Sequence, residues 1–450
     1  MTRTGAVTSP LRAPALRASA RGSFLALALL AASCARELPG QPPPTDRPSF
    51  PTGLALHPEA NALAVVSSNF DLGFSRGAVL LADLDRVDAA LLAAPDPDSA
   101  AATVADAYTD AVLVPSFGNE PVFSSDGARL FVATRAENLL VELEVAADDG
   151  LAISCGGAAS GGGDVPLCGL PPSALALSGN DPFRIALTGE RADRVSGIVT
   201  SLLSDQVVFF DLRIEEEGAG FLQQADVLTL GGWLTDEEVI GVRGLALRPP
   251  SDGLPLLAFA VVERTDEARG RAADLIWFDA TRGGRAQVQV LSLTDELGAT
   301  SARELALTPA GDALLVTLRD PDGLARVDLG VDDGALAPEI AGVVSTCSEP
   351  VGVEIGSVPL DGDSRDRAFV TCFGDDTVLG YNPVTLDVTE ASRFFGDGPY
   401  DVALDLDHAP PRAYVSYFLD DSVGVFDLVT DGAVGLTPRG RIGVPRPQPE

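Results

Sequence analysis

The sequence predicts an all-β chain, a β-propeller of seven four-stranded blades. Three observations carry this reading. A strand phrase recurs down the chain, its openings are spaced as blades are, and helical periodicity is missing from a body punctuated by 46 Gly and 33 Pro. The phrase opens with Pro or Arg before a short apolar strand. A polar turn leads to a second strand, and another to a third that often ends in Asp. One four-stranded sheet cannot bury both its faces, whereas seven around an axis bury each face against a neighbour.

The openings are Pro51, Pro121, Pro182, Arg243, Arg303, Pro350 and Pro399. Second strands read ALAVVSS, RLFVATR, GIVTSLL, PLLAFAVVE, ALLVTLR, RAFVTCF and RAYVSYF. Third strands read AVLLADL, LLVELEV, QVVFFDL, DLIWFDA, LARVDLG, TVLGYNP and SVGVFDL. A weaker fourth stretch precedes the next opening, as at Ala111-VLVP, Val227-LTLGG and Gln287-VQVLSL. The last blade owns all four strands, its fourth near Leu436–Val444, so ring closure needs little exchange with the N-terminus. Loop insertions blur the period, and six or eight blades fit the same strands.

The domain layout is a leader at 1–33, a tether at 34–50, the propeller at 51–445 and a tail at 446–450. Arg3, Arg12, Arg17 and Arg21 precede the apolar run Phe24–Ala32, which is too short for a membrane span of roughly 20 residues but suits a signal peptide. Leu30-Ala31-Ala32-Ser33-Cys34 resembles the lipobox of bacterial lipoproteins, with Ala31 where Leu is preferred. That resemblance implies lipidation of Cys34 and, with Ala35 following, an outer-membrane lipoprotein facing the periplasm or the cell surface. Ordinary signal cleavage near Ala32 is the plainer alternative. The Pro-rich stretch after Cys34 reads as an extended tether.

Acids outnumber bases 65 to 31, every base is Arg, and the net charge is −34. Such a polyanion is not expected to bind nucleic acid through bulk electrostatics. Without Lys there is no Schiff-base chemistry and no P-loop lysine. No G-x-S-x-G, H-E-x-x-H, dinucleotide fingerprint or haem motif occurs, and neither a cofactor nor a metal is expected. The acidic loops at Asp96–Asp98 and Asp361–Asp366 do not match a calcium loop. His57 and His408 follow first strands, on the face opposite the mouth, and read as turn residues. Asp83, Asp211, Asp279, Asp328 and Asp427 recur at the ends of third strands and read as turn caps.

Four Cys remain in the body, an even number that suits disulfides in an exported chain. Cys347 precedes a first strand and Cys372 ends the second strand of the same blade, so the register predicts Cys347–Cys372. Cys155 and Cys168 flank a Gly-rich insertion before the fourth strand of blade 2 and are predicted to close it.

Gly127-ARLFVATRAENLLVEL, Ile198-VTSLLSDQVVFFDL and Ala413-YVSYFLDDSVGVFDL resemble the YVTN-type propeller repeat, over about residues 50–445. Only Ser125-Asp126-Gly127 and Pro309-Ala310-Gly311-Asp312 approach that family's usual turn, and blades 3 and 6 carry insertions between strands one and two. The resemblance implies a site on the face formed by the loops into strand one and the turns between strands two and three. Those loops hold Glu120, Arg135, Arg243, Arg264, Arg303, Arg319 and Glu349, which read either as an anion site or as salt bridges along the rim. The expected function is a non-catalytic binding or scaffold protein for an envelope protein or a small ligand. The alternative is a lactonase-like hydrolase at the axial mouth. The family's lactonases use rim carboxylates with His or Arg, or a divalent cation, and this rim has no His.

Overall fold

The strand phrases are rich in Val, Ile, Phe and Tyr, whose branched or flat side chains fit a pleated surface, and Gly, Asp and Pro end them. The computed structural model describes residues 40–93, 102–146, 151–156, 165–215, 220–231, 233, 238–360, 362–393 and 395–444. The leader, Cys34, the Asp96–Asp98 loop and the tail at 446–450 lie outside these residues.

Seven antiparallel sheets form the blades of a propeller. Their first strands are Pro51–Leu56, Val122–Phe123, Pro182–Arg191, Val239–Arg248, Ser301–Leu307, Pro350–Leu360 and Pro399–Asp405. Each pairs with the second strand, the second with the third, and the third with the fourth. The apolar core lies between the blades. Phe131 and Leu140 of blade 2 pack with Ile185 and Phe210 of blade 3. Leu63 and Leu80 of blade 1 pack with Tyr414 and Val425 of blade 7. Every adjacent pair of blades shares such a cluster.

The first strand is bulged near its opening in six blades. Register shifts fall at Pro51/Gly53, Pro182/Ile185, Val242/Leu245, Ala302/Leu305, Pro350/Val353 and Pro399/Val402. A bulge takes a backbone N–H out of the ladder. In four blades a hydroxyl of the second strand accepts it: Thr200 from Arg184 N, Thr317 from Glu304 N, Thr371 from Gly352 N and Ser416 from Asp401 N, at 2.9–3.1 Å. This is the role of the Thr or Ser in VTS, VTL, VTC and VSY.

Blade 7 takes all four strands from the C-terminal segment, ending with Ala433–Ile442, and gains a fifth. Thr103–Val104, from the loop between strands three and four of blade 1, pairs parallel to Arg441 and Ile442 at its outer edge. On the mouth side Asp421 accepts from Phe50 N, and nearer the axis Asp401 accepts from Leu54 N, both at 2.8 Å. Comparable straps join other neighbours, Asp376 to Gly398 N and Asp322 to Glu349 N.

Several sequence expectations need correction. The insertions of blades 3 and 6 are not loops but lengthened hairpins, paired out to Arg191↔Arg194 and Leu360↔Asp363. The fourth strand of blade 2 is split. Ala152–Cys155 pairs with the far half of the third strand, and Ala174–Ala176 with its near half. The Gly-rich insertion therefore interrupts that strand rather than preceding it. Among the repeated Asp, Asp83 and Asp279 accept from the N–H groups of Arg86 and Thr281 as turn caps do. Asp211 instead accepts from Ser196 Oγ, Asp328 pairs with Arg326, and Asp427 pairs with Arg412 and Arg439. A nearby side-chain donor competes successfully with the turn, on the adjacent strand for Asp211 and Asp427 and two residues back on the same strand for Asp328.

Both predicted disulfides form, Cys347–Cys372 as the register requires and Cys155–Cys168 across the insertion, with Cα separations of 5.7 Å and 5.2 Å. The pairing Pro350↔Cys372 brings the approach to the first strand beside the end of the second. A non-reducing peptide map should recover both pairs and no bridge between blades 2 and 6. Replacing Cys155 and Cys168 together by Ala should cost about 3 kcal/mol, the value expected for releasing a loop of this length, measurable by urea unfolding.

Candidate ligand site at the axial mouth

In blades 5 and 7 the bulge sends successive residues in different directions. One lines a cup at the axial mouth and the next enters the channel beneath. Arg303 and Tyr400 line the cup, while their chain neighbours Glu304 and Asp401 line the channel.

The cup has a volume of about 270 Å³. The wall residues come from the loops into strand one, the openings of the first strands, the end of a second strand at Arg319, and the turns between strands two and three. One side is a chain of aromatic rings. Phe117 meets Phe70 edge-on at 5.8 Å, and Phe70 meets Phe418 at 5.2 Å. Phe418 in turn stacks on Tyr400 at 5.6 Å and meets Phe373 at 5.8 Å. Phe70 is 53% exposed although large and apolar. Left-handed backbone at Phe50, Asn69, Phe117, Asp181 and Glu349 crowds this rim. Backbone strain of that kind persists where the surroundings over-determine it, and it clusters at ligand sites.

The cup also carries Arg135, Arg303 and Arg319. Arg135 pairs with Asp181 at 3.0 Å and Arg319 with Glu349 at 3.3 Å. Arg303 differs from both. Its guanidinium lies 5.3 Å from the ring centres of both Phe183 and Tyr400, and it donates to the Tyr400 hydroxyl at 2.5 Å. It has no carboxylate partner among the described residues.

Below the cup, Arg184 forms a plug across the axis. It pairs with Glu120 of blade 2 and Glu304 of blade 5 and feels the charge of Asp401 from blade 7. Gly53 and Gly244 make room for this crowding, since a Cβ there would lie 2.4 Å from Glu120 Cα and 2.8 Å from Glu304 Cα. Glu354 borders the same channel. Its side chain is exposed to the channel deep within the ring, where separation from bulk water pushes its carboxyl up to about 8, with Asp401 adding repulsion and Arg184 opposing. Burial likewise raises Asp401, against the pull of Arg184 and the hydrogen bond from Leu54 N.

The seven rim residues named from sequence thus separate. Arg135, Arg303, Arg319 and Glu349 line the cup. Glu120 belongs to the channel plug. Arg243 is tied to buried Glu263 at 2.7 Å. Arg264 pairs with Asp274 at 2.6 Å. It sits one residue past Glu263, the register equivalent of Arg319, and alternation along the strand turns it to the other face. Attention to charge missed the rings, Arg184, Glu354 and Asp401. A signal for two rings was present, because Phe373 and Phe418 stand in the same repeat column as Arg319.

His57 accepts from the N–H groups of Glu59 and Ala60, and His408 contacts Asp88, both in turns after first strands. No group of three His, Cys, Asp or Glu side chains among the described residues is placed to hold a metal ion.

No protein-family model and no curated protein matches the chain. Solved structures do. The β-propeller domain of Cps50 (Swd1) from Myceliophteria thermophila is 12% identical with a TM-score of 0.53, over 87% of this chain and all of that one. Hydrazine synthase from Kuenenia stuttgartiensis is 13% identical with a TM-score of 0.51, over 86% and 97%. The periplasmic gluconolactonase of Pseudomonas aeruginosa is 18% identical with a TM-score of 0.38, over 66% and 85%. At these identities the likeness is one of fold alone.

Two predictions follow from the plug. Arg184→Met should destabilise the protein by about 3–5 kcal/mol at pH 7, because buried carboxylates lose their counter-ion. The cost should shrink at pH 5, where they are more readily protonated, and urea unfolding at both pH values reads this. Glu354 keeps its proton in the folded ring after the unfolded chain has lost it. Its contribution to stability is therefore complete below its ordinary value of 4.5 and is lost as pH rises through about 8. Melting temperatures from pH 5 to 9 should fall less steeply for Glu354→Gln than for wild type.

Proposed function

We propose that this chain is an exported, lipid-anchored propeller of YVTN type that serves at the cell envelope as a non-catalytic binding protein, with the axial mouth as its site. The observation that carries this reading is the composition of the cup. Aromatic rings, one of them the half-exposed Phe70, line the cup together with Arg303, which has no carboxylate partner among the described residues, while Glu120 and Glu304 beneath are held by Arg184. Rings and a fixed cation recognise and orient a ligand. A hydrolase acting in the cup would need a carboxylate or imidazole there to move a proton; among the described residues the cup's one carboxylate, Glu349, is paired with Arg319, Glu354 lies below in the channel, and the two His lie in turns elsewhere.

Export is supported by the paired cysteines, which suit an oxidising compartment, and by the basic, apolar leader. Cys34 supports the lipid anchor, and the Pro-rich segment supports a tether that holds the ring off the lipid. The acidic balance favours a partner other than nucleic acid. The Thr or Ser that holds four of the six bulges supports the repeat type.

Cys34→Ser should release the protein from membranes or stop processing of the leader. Unchanged fractionation and migration would contradict the anchor. For the site, organic compounds extracted from protein purified out of native membranes should include a species absent from Arg303→Gln. Identical extracts from the two proteins would contradict ligand binding at the mouth.

A further inference from the structure

We infer that the mouth selects an aromatic monocarboxylate, a flat ring carrying a single negative charge. This inference rests on the reading that the mouth is a ligand site and narrows it to a chemical class.

Arg303 sets the charge. Tyr400 and Phe183 hold its guanidinium, and of its five donors one is used on the Tyr400 hydroxyl. The fork that remains matches the planar geometry of a carboxylate. The other two arginines of the cup already face Asp181 and Glu349, so among the described residues the cup offers one uncompensated positive charge. A second negative charge on the ligand would meet no further cation. It would also lie above the channel, where Glu120, Glu304, Glu354 and Asp401 face the single guanidinium of Arg184. Dianions such as phosphate are disfavoured for that reason.

The rings set the body. Phe70, Phe117, Phe373 and Phe418 present edges and faces at the angles that aromatic pairs prefer, and Phe70 leaves half its surface open. Such a wall gains more from a flat aromatic partner than from a flexible chain, which must also be ordered on binding. A cup of about 270 Å³ lies at the small end of ligand pockets and fits one ring with a short acid arm.

The test is calorimetric titration of the mature, disulfide-bonded chain with 3-phenylpropanoate, 3-phenylpropanamide, hexanoate and inorganic phosphate. The aromatic acid should bind about tenfold tighter than its neutral amide and about fivefold tighter than hexanoate, with phosphate weakest. Arg303→Gln should weaken it about tenfold. Phe70→Ala, at an exposed position that leaves the core intact, should weaken it about fivefold. If hexanoate or phosphate binds as tightly, with the same dependence on Arg303, the aromatic class is wrong and the mouth stands as a site. If the amide binds as tightly as the acid, the charge argument is wrong. If none of the four binds, the inference fails, and the extracts from native membranes decide separately whether the mouth holds a ligand at all.

Discussion

Seven strands converge on the propeller axis, and each must bring its backbone there without stranding an N–H or colliding with its neighbours. The bulge in the first strand is the solution, and the rest of the mouth depends on it. It frees an N–H that a Thr or Ser hydroxyl of the second strand accepts in four blades. It also splits neighbouring residues between two levels, so that Arg303 reaches the cup while Glu304 reaches the channel. Without the bulge, strict alternation would send one of each pair into the sheet face.

The same geometry forces charge into a confined space. Carboxylates from blades 2, 5, 6 and 7 approach the axis, and Arg184 from blade 3 is the cation that lets them do so. Burial of such a group is tolerated only with its partners in place. Through Glu304 the plug therefore couples blades 3 and 5, which share no sheet and no apolar cluster. It also shapes the field that a ligand in the cup above would feel.

Closure of the ring draws on contacts of several kinds. Apolar packing between blades 7 and 1 continues the pattern found between all other neighbours. Asp421 and Asp401 add backbone hydrogen bonds across the join, and the parallel strand Thr103–Val104 seals the outer edge. Residues 41–50 supply no strand to the last blade; Ser49 and Phe50 instead lie buried on the ring, their carbonyls accepting from Asn69 N and Ser68 N.

What the sequence determined by itself was everything local or repeated. Strand phrases, their openings and both disulfides were legible because period-two patterning, turn residues and a repeated register are encoded within a few dozen residues. The placement of side chains across the axis was not legible. Glu120 read as a rim residue and proved to be part of the plug, because the level a residue occupies depends on how far its strand penetrates the ring. Arg264 read as a rim cation and turned away, because one residue of register reverses a strand's faces. The split fourth strand of blade 2 and the added strand of blade 7 depend on pairings between segments that no local pattern announces. The aromatic crescent draws on blades 1, 2, 6 and 7, and only closing the ring brings Phe70 against Phe418, some 350 residues away in the chain.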